Sequence, residues 1–249
     1  MTGWDWAAFR KYLFNPYLLE GAWTTVWLSV AVMTIGLLLG LAAALMRMSP
    51  HRVPRSIARF YIWLMRGTPL LVQLIIIYTG LPQLGIRLTV IQSALIGLGL
   101  NEGAYLAEII RAGILSVPRG QFDAARAVGM PYWTMLRVII LPQAARVIIP
   151  PLGNEFNNML KTTSLMAVIS VTEMFRVAQG VYAVTFKPFE VFLGVAVYYL
   201  ALTTIWTLIQ GMIERRLGAS TTRSEAVPGL RARLLGLSSP RGGVGGLGR

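Results

Sequence analysis

At 249 residues, 55% of them apolar and only 13% charged, the chain is too poor in charge for an ordinary soluble domain. A formal net charge of +13 would point to nucleic acid in a soluble protein, but here the arginines cluster in connections between apolar runs, which fits membrane orientation better. The lack of cysteine excludes thiolate catalysis, disulfides and cysteine-ligated metal. The single histidine, His51, sits among Arg52, Pro54 and Arg55 as a solvated loop residue, so no metal site and no cofactor is expected.

In chain order, Trp4, Asp5 and Trp6 precede Arg10 and Lys11 without a signal-peptide pattern. Residues 1–21 therefore read as an extracytoplasmic segment, and the first apolar run reads as a retained helix. That first span covers about 22–46; residues 26–45 carry no charge, enough for a helix to cross about 30 Å of hydrocarbon. Gly36 and Gly40 lie in it at GxxxG spacing, with close helix packing and chance both open as explanations. A basic stretch, 47–59, follows. The second span, 60–82, is interrupted by Arg66, Gly67 and Pro69, which predicts a bend or a broken helix.

The third span, 89–110, holds Asn101, Glu102 and Glu108, polar groups that must face protein or water. A fourth, 136–159, meets Pro142, Pro150, Pro151 and Gly153 and ends in NEFNNMLKTTS, so it is expected to be irregular. The fifth, 191–213, carries Tyr198, Tyr199 and Trp206. Arg47, Arg52, Arg55 and Arg59, the segment 111–137, and Arg215 with Arg216 mark the inside connections. The expected fold is thus an all-α integral membrane protein of about five transmembrane helices spanning 22–217, with the N-terminus outside and the C-terminus cytoplasmic. Residues 218–249, rich in Ser, Gly, Pro and Arg, read as a disordered basic cytoplasmic tail.

Between the third and fourth spans lies SVPRGQFDAARAVGMPYWTMLRVIILPQAARVIIPP. Pro118 can open a short helix, Gln121 to Val128 are good helix formers, and Gly129 with Pro131 stops them. Ala124, Ala125 and Ala127 give this surface helix a low profile suited to the groove of a partner. The spacing resembles the EAA loop of ABC import permeases, matching it at Ala124, Ala125, Gly129, Ile139, Leu141 and Pro142, with Asp123 where glutamate is usual. RGTPLLVQL, EIIRAGILSVPRGQ, LPQAARVIIPPLGNEF and LKTTSL extend the resemblance to the polar amino-acid permeases of that family.

The resemblance implies a type I ABC importer permease fold and a coupling helix, built around Asp123 to Gly129, that docks into a cytoplasmic ATPase subunit. It also implies a second permease subunit, identical or paralogous, an extracytoplasmic amino-acid-binding protein and a bacterial cell membrane location. The chain has no GxxxxGK[ST] phosphate loop, so it is read as a permease and not an enzyme, with ATP hydrolysis left to the partner.

A zwitterionic amino acid needs both acidic and cationic or amide contacts near mid-membrane. Asn101, Glu102, Asn154, Glu155, Asn158 and Lys161 are the candidates for this path, and bonding to neighbouring helices accounts for them equally well. A secondary amino-acid transporter or channel would show the same spans and acids. It would have no need of the docking helix.

Overall fold

The computed structural model describes residues 4–218, where ten α-helices and no strand are found. The segment read as a disordered tail lies, beyond Gly218, outside the described residues. Asp5 caps α1 (Trp6–Leu13) by accepting from the Ala7 and Ala8 amides, and its carboxylate pairs with Lys187 at the start of the last helix. Asn15 and Pro16 then start α2 (Pro16–Met48) inside the stretch read as an N-terminal segment: Asn15 Oδ1 accepts from the Tyr17 amide, and proline is preorganised for a first helical turn. At 1.5 Å per residue α2 is about 50 Å long, more than the hydrocarbon thickness.

The basic stretch 47–59 is less of a connection than expected, because α3 (Arg52–Gly67) begins within it. α3 gives way at Thr68 and Pro69 to α4 (Leu70–Ile75), which a π-helical turn and a 3₁₀ turn extend to Leu84; the two halves meet at 104°, the break anticipated from Arg66, Gly67 and Pro69. α5 (Val90–Leu115) opens with a capping box between Thr89 and Gln92. α6 (Arg119–Ala127) and α7 (Tyr132–Met135) lead through a π-helical turn, Leu136–Ile140, into α8 (Leu141–Thr162). A 3₁₀ segment, Thr163–Ile169, precedes α9 (Met174–Thr185), and α10 (Pro188–Arg216) completes the set.

Two further features depart from expectation. α8 stays helical through Pro150 and Pro151, and α10 packs closely on that stretch: Trp206 Nε1 donates to the Gly153 carbonyl at 2.7 Å, Gln210 Nε2 donates to the Pro150 carbonyl at 3.2 Å, and the Trp206 and Phe156 rings lie 4.1 Å apart. The irregularity falls at its start instead, in the π-helical turn before Pro142. The other departure is α9, which fills what read as a plain connection.

Among the described residues three helical stretches are long and apolar enough to cross a membrane, or four if the bent α3–α4 pair is one span. α5 is long enough, but Asn101, Glu102, Glu108 and Arg111 dilute its apolar character; it tolerates them because its middle is enclosed by other helices. α2 and α5 run parallel and share the most extensive packing of any pair. Their contact is built on small residues: a methyl group on Gly40 would sit 2.8 Å from Leu106 Cβ and 3.0 Å from the Gly103 carbonyl oxygen, and one on Gly36 would sit 2.9 Å from Glu102 Cγ. The GxxxG spacing is therefore a packing motif. α8 runs antiparallel to both α5 and α10, meeting α5 where Gly113 faces Ile148 and α10 where Gly153 faces Gln210. The arginine-bearing ends Arg47, Arg111 and Arg216 consequently share one end of the bundle. Its outer faces are apolar and exposed, as at Leu38, Leu200, Ile205 and Leu208, which suits a lipid environment.

Because nothing flexible separates α2 from α5 at Gly40, a Gly40→Leu substitution should force the helices apart at a cost of about 1–3 kcal/mol. The expected readout is a lower thermal unfolding midpoint in detergent, with Gly211→Ala, which meets open space, no less stable than the parent protein.

Candidate functional site

α5, α8 and the α3–α4 break enclose a cavity of about 340 Å³ midway along α5. Glu102 and Tyr105 come from α5, one helical turn apart, and Glu155, Asn158, Lys161 and Thr162 come from successive turns of one α8 face. Leu70, the first residue after the break, closes a further side. Glu102 is 5% exposed, its stem rests on Gly36 of α2, and its Oε1 is buried without a hydrogen-bond partner. At the edge, the Arg66 guanidinium lies 5.1 Å from the centre of the Tyr105 ring, a cation–π contact.

Five of the six residues predicted for the path line this cavity: Asn101, Glu102, Glu155, Asn158 and Lys161. Asn154 does not. One helical position is about 100° of rotation, and Asn154 turns toward α10, where its Oδ1 accepts from Gln210 Nε2 at 3.3 Å. Asn101 has a second attachment that defines its main work. Its Nδ2 donates to the Met65 carbonyl and to Gln73 Oε1, both at 3.1 Å, while Gln73 Nε2 donates to the Met65 carbonyl and to Thr68 Oγ1. Two amide side chains thus give partners to the backbone at the α3–α4 break, where the helical ladder is interrupted. Sequence reasoning missed Tyr105 and Thr162; their spacing of three after Glu102 and seven after Glu155 was the available signal. Leu70 had none, since only the break brings it there.

The second group of residues forms the connection between α5 and α8. Pro118 precedes α6, and the helix ends as expected at Gly129, whose φ of +72° is a conformation side chains with a Cβ rarely adopt. The Gly129 amide donates to the Arg126 carbonyl and the Met130 amide to the Ala125 carbonyl, the paired bonds of a Schellman cap. Val117, Ala125, Met135, Ile140 and Ala144 form a small core beneath it, with Ile139 packed alongside. Ala125 is therefore committed inward, whereas Asp123, Ala124, Gly129, Leu141 and Pro142 are exposed. Gln143 ties the two halves by donating to Gln121 Oε1 and the Ile139 carbonyl. Among the described residues Asp123 makes no ion pair.

Membrane helices around a polar cavity, with a short capped helix exposed at one end, define the membrane-embedded part of a transport system. The chain belongs to the family of binding-protein-dependent transport system inner membrane components, whose model matches residues 36–219. It is 40% identical to the arginine transport system permease protein ArgU of Corynebacterium glutamicum over 89% of this chain and 74% of that one. It is 38% identical to the glutamine transport system permease protein GlnP of Escherichia coli over 86% and 97%, and 43% identical to the L-cystine transport system permease protein TcyB of Bacillus subtilis over 82% and 88%. Among solved structures, an amino acid ABC transporter crystallised with histidines superposes with a TM-score of 0.80 at 40% identity, covering 87% of this chain and all of that one (100%). The MetNI methionine ABC transporter in an inward-facing form shares the fold, with a TM-score of 0.66 at 14% identity over 80% and 95%. Membership of this family sets aside the secondary-transporter or channel reading.

Asn101→Leu leaves Gln73 Oε1 without its donor and the Met65 carbonyl with Gln73 alone, which should cost about 1–3 kcal/mol. A lowered unfolding midpoint is expected, together with faster amide hydrogen exchange at residues 65–70. Asn154→Leu should leave that exchange unchanged.

Proposed function

We propose that this chain is the permease subunit of an ATP-binding-cassette importer that moves polar amino acids into a bacterial cell. In this reading the arginine-bearing end of the bundle faces the cytoplasm, the N-terminus lies outside, and α2, the α3–α4 pair, α5, α8 and α10 are five crossings. A second permease subunit completes the path, and a binding protein delivers substrate from outside. A cytoplasmic ATPase subunit hydrolyses ATP.

The observation that carries the reading is α6, an exposed helix with a rigid glycine cap standing at the arginine-bearing end. Ala124 and Ala127 give it a low outer profile and Val128 an exposed apolar tip, while Asp123 offers a free carboxylate to a cationic partner. Residues Asp123 to Pro142 then divide their labour. Asp123, Ala124, Leu141 and Pro142 meet the ATPase, and Ala125, Gly129 and Ile139 hold the helix in the shape that docks.

For the substrate, Glu102 and Glu155 supply acceptors for an ammonium or guanidinium group, and Lys161 and Asn158 supply donors for a carboxylate. That pairing suits a zwitterion. Relatives named for arginine, glutamine and cystine transport support the same substrate class.

The test is reconstitution with the ATPase and binding protein, followed by uptake of arginine, glutamine and glutamate. Uptake should require ATP; uptake driven by an ion gradient alone would overturn the importer reading. Glu102→Gln and Glu155→Gln should each lower transport or change the order of the three substrates, and wild-type behaviour of both variants would remove the proposed path. For coupling, Gly129→Val forces a β-branched residue into a left-handed conformation at a cost of about 1–2 kcal/mol. Weaker co-purification of the ATPase and reduced uptake are expected, with Gly129→Asn close to the parent because asparagine tolerates this conformation.

A further inference from the structure

Outside the path and the docking helix, one cavity collects charge of a single sign. Arg47 at the end of α2, Arg59 on α3 and Arg111 near the end of α5 line a space of about 290 Å³ together with Met48 and Leu115. Among the described residues Glu108 is the only carboxylate that engages them: its Oε1 takes Arg47 at 3.0 Å and its Oε2 takes Arg111 at 2.7 Å. These two guanidiniums are held in place yet keep 28% and 29% of their side-chain surface exposed. Arg59 makes no ion pair among the described residues. Three permanent cations share one anion, and planar guanidiniums are suited to bind phosphate oxygens two at a time.

The surroundings of the cavity are apolar. Met48 and Leu115 are exposed at its rim, and α3 turns Val53, Ile57, Phe60 and Trp63 outward, each more than half exposed. The spacing of these four places them on one helical stripe beside Arg59. A free anion would use only the arginines, and an acidic protein surface would leave the stripe bare. A molecule with an anionic head and a long apolar tail would use both. The cavity lies where α2 and α5 end, and the ends of helices that cross a bilayer meet its lipid headgroups.

We propose that Arg47, Arg59 and Arg111 form a binding site for the headgroup of an anionic phospholipid, with its acyl chain along the outer stripe of α3. Glu108 is then the spacer that sets two of the guanidiniums at a fixed separation. The site shares no lining residue with the cavity of the proposed substrate path.

The experiment uses the permease purified with its ATPase subunits. Native mass spectrometry counts retained lipid, and thermal unfolding is followed in nanodiscs of phosphatidylcholine with or without phosphatidylglycerol. The wild-type complex should retain phosphatidylglycerol in preference to phosphatidylcholine and unfold at a higher temperature in its presence. Arg59→Gln, which leaves both Glu108 ion pairs intact, should retain about fivefold less phosphatidylglycerol, the effect of one cation beside an anionic headgroup. Equal retention of the two lipids by the wild type, or undiminished phosphatidylglycerol in Arg59→Gln, overturns the proposal. Equal protection by inorganic phosphate would make this a free-anion site and overturn it as a lipid site. Loss of the ATPase subunits from Arg59→Gln at unchanged lipid retention would assign the cluster to subunit docking and likewise overturn it. If Arg59→Gln does not fold, the wild-type comparison of the two lipids decides alone.

Discussion

The structure depends first on how closely α2 and α5 approach each other. In a bilayer, apolar side chains gain nothing by leaving lipid for protein, so helices associate through packing at short range. Gly36 and Gly40 let α5 settle against α2 at a distance no larger side chain would permit. The same contact brings Gly103 under Tyr61 of α3, whose hydroxyl donates to the Leu100 carbonyl at 2.6 Å. Three helices lock at one level. Glu102 lies there too, its stem on Gly36 and its carboxylate in the cavity, so the packing that stabilises the bundle also fixes the path's most buried acid.

A second constraint, that every backbone polar group in hydrocarbon needs a partner, explains where the chain departs from straight helices. The break between α3 and α4 survives because Asn101 and Gln73 answer its carbonyls. α8, with two prolines in its interior, lies close enough to α10 for Trp206 and Gln210 to bond the Gly153 and Pro150 carbonyls. Gly153 makes that approach possible, since a methyl group there would run into Gln210. The break opens a wall of the cavity and the straight stretch builds another, so the irregular and the regular backbone are both held by side chains from neighbouring helices.

These dependencies decide what could be read from the sequence. The break at Arg66 to Pro69 was legible because glycine and proline act locally, and so was the end of α6, where Gly129 and Pro131 act through their own backbone angles. Pro150 and Pro151 misled for the opposite reason: the stretch they occupy packs against α10, some 55 residues downstream, which no local signal shows. α9 went unseen because MFRVAQGVYAVT has neither the length nor the apolarity of a span and is stabilised by α2 and α10 packing around it. In the cavity, charge was the signal. Glu102 stands out in apolar surroundings and Glu155 as the one acid of its stretch, whereas Asn154 and Asn158 are alike in type, and only the fold shows that one meets Gln210 of α10 and the other lines the cavity. Ala125 reads the same as Ala124, and only the fold shows that one is buried.

The placement of α6 gives the proposed coupling a mechanical form. The cavity has its two polar walls on α5 and α8, and α6 joins the C-terminal end of the first to the N-terminal end of the second. Below it, the small core of Val117, Ala125, Met135, Ile140 and Ala144 takes residues from both ends and from α6 itself. A displacement of α6 therefore reaches α5 and α8 together, and it reaches them unequally. α5 is anchored along its length on α2 by the glycine contact, while α8 begins in a π-helical turn, a weaker segment of backbone. Force delivered at α6 should move the wall bearing Glu155, Asn158 and Lys161 past the one bearing Glu102, changing the distance between the groups proposed to hold the two ends of a zwitterion.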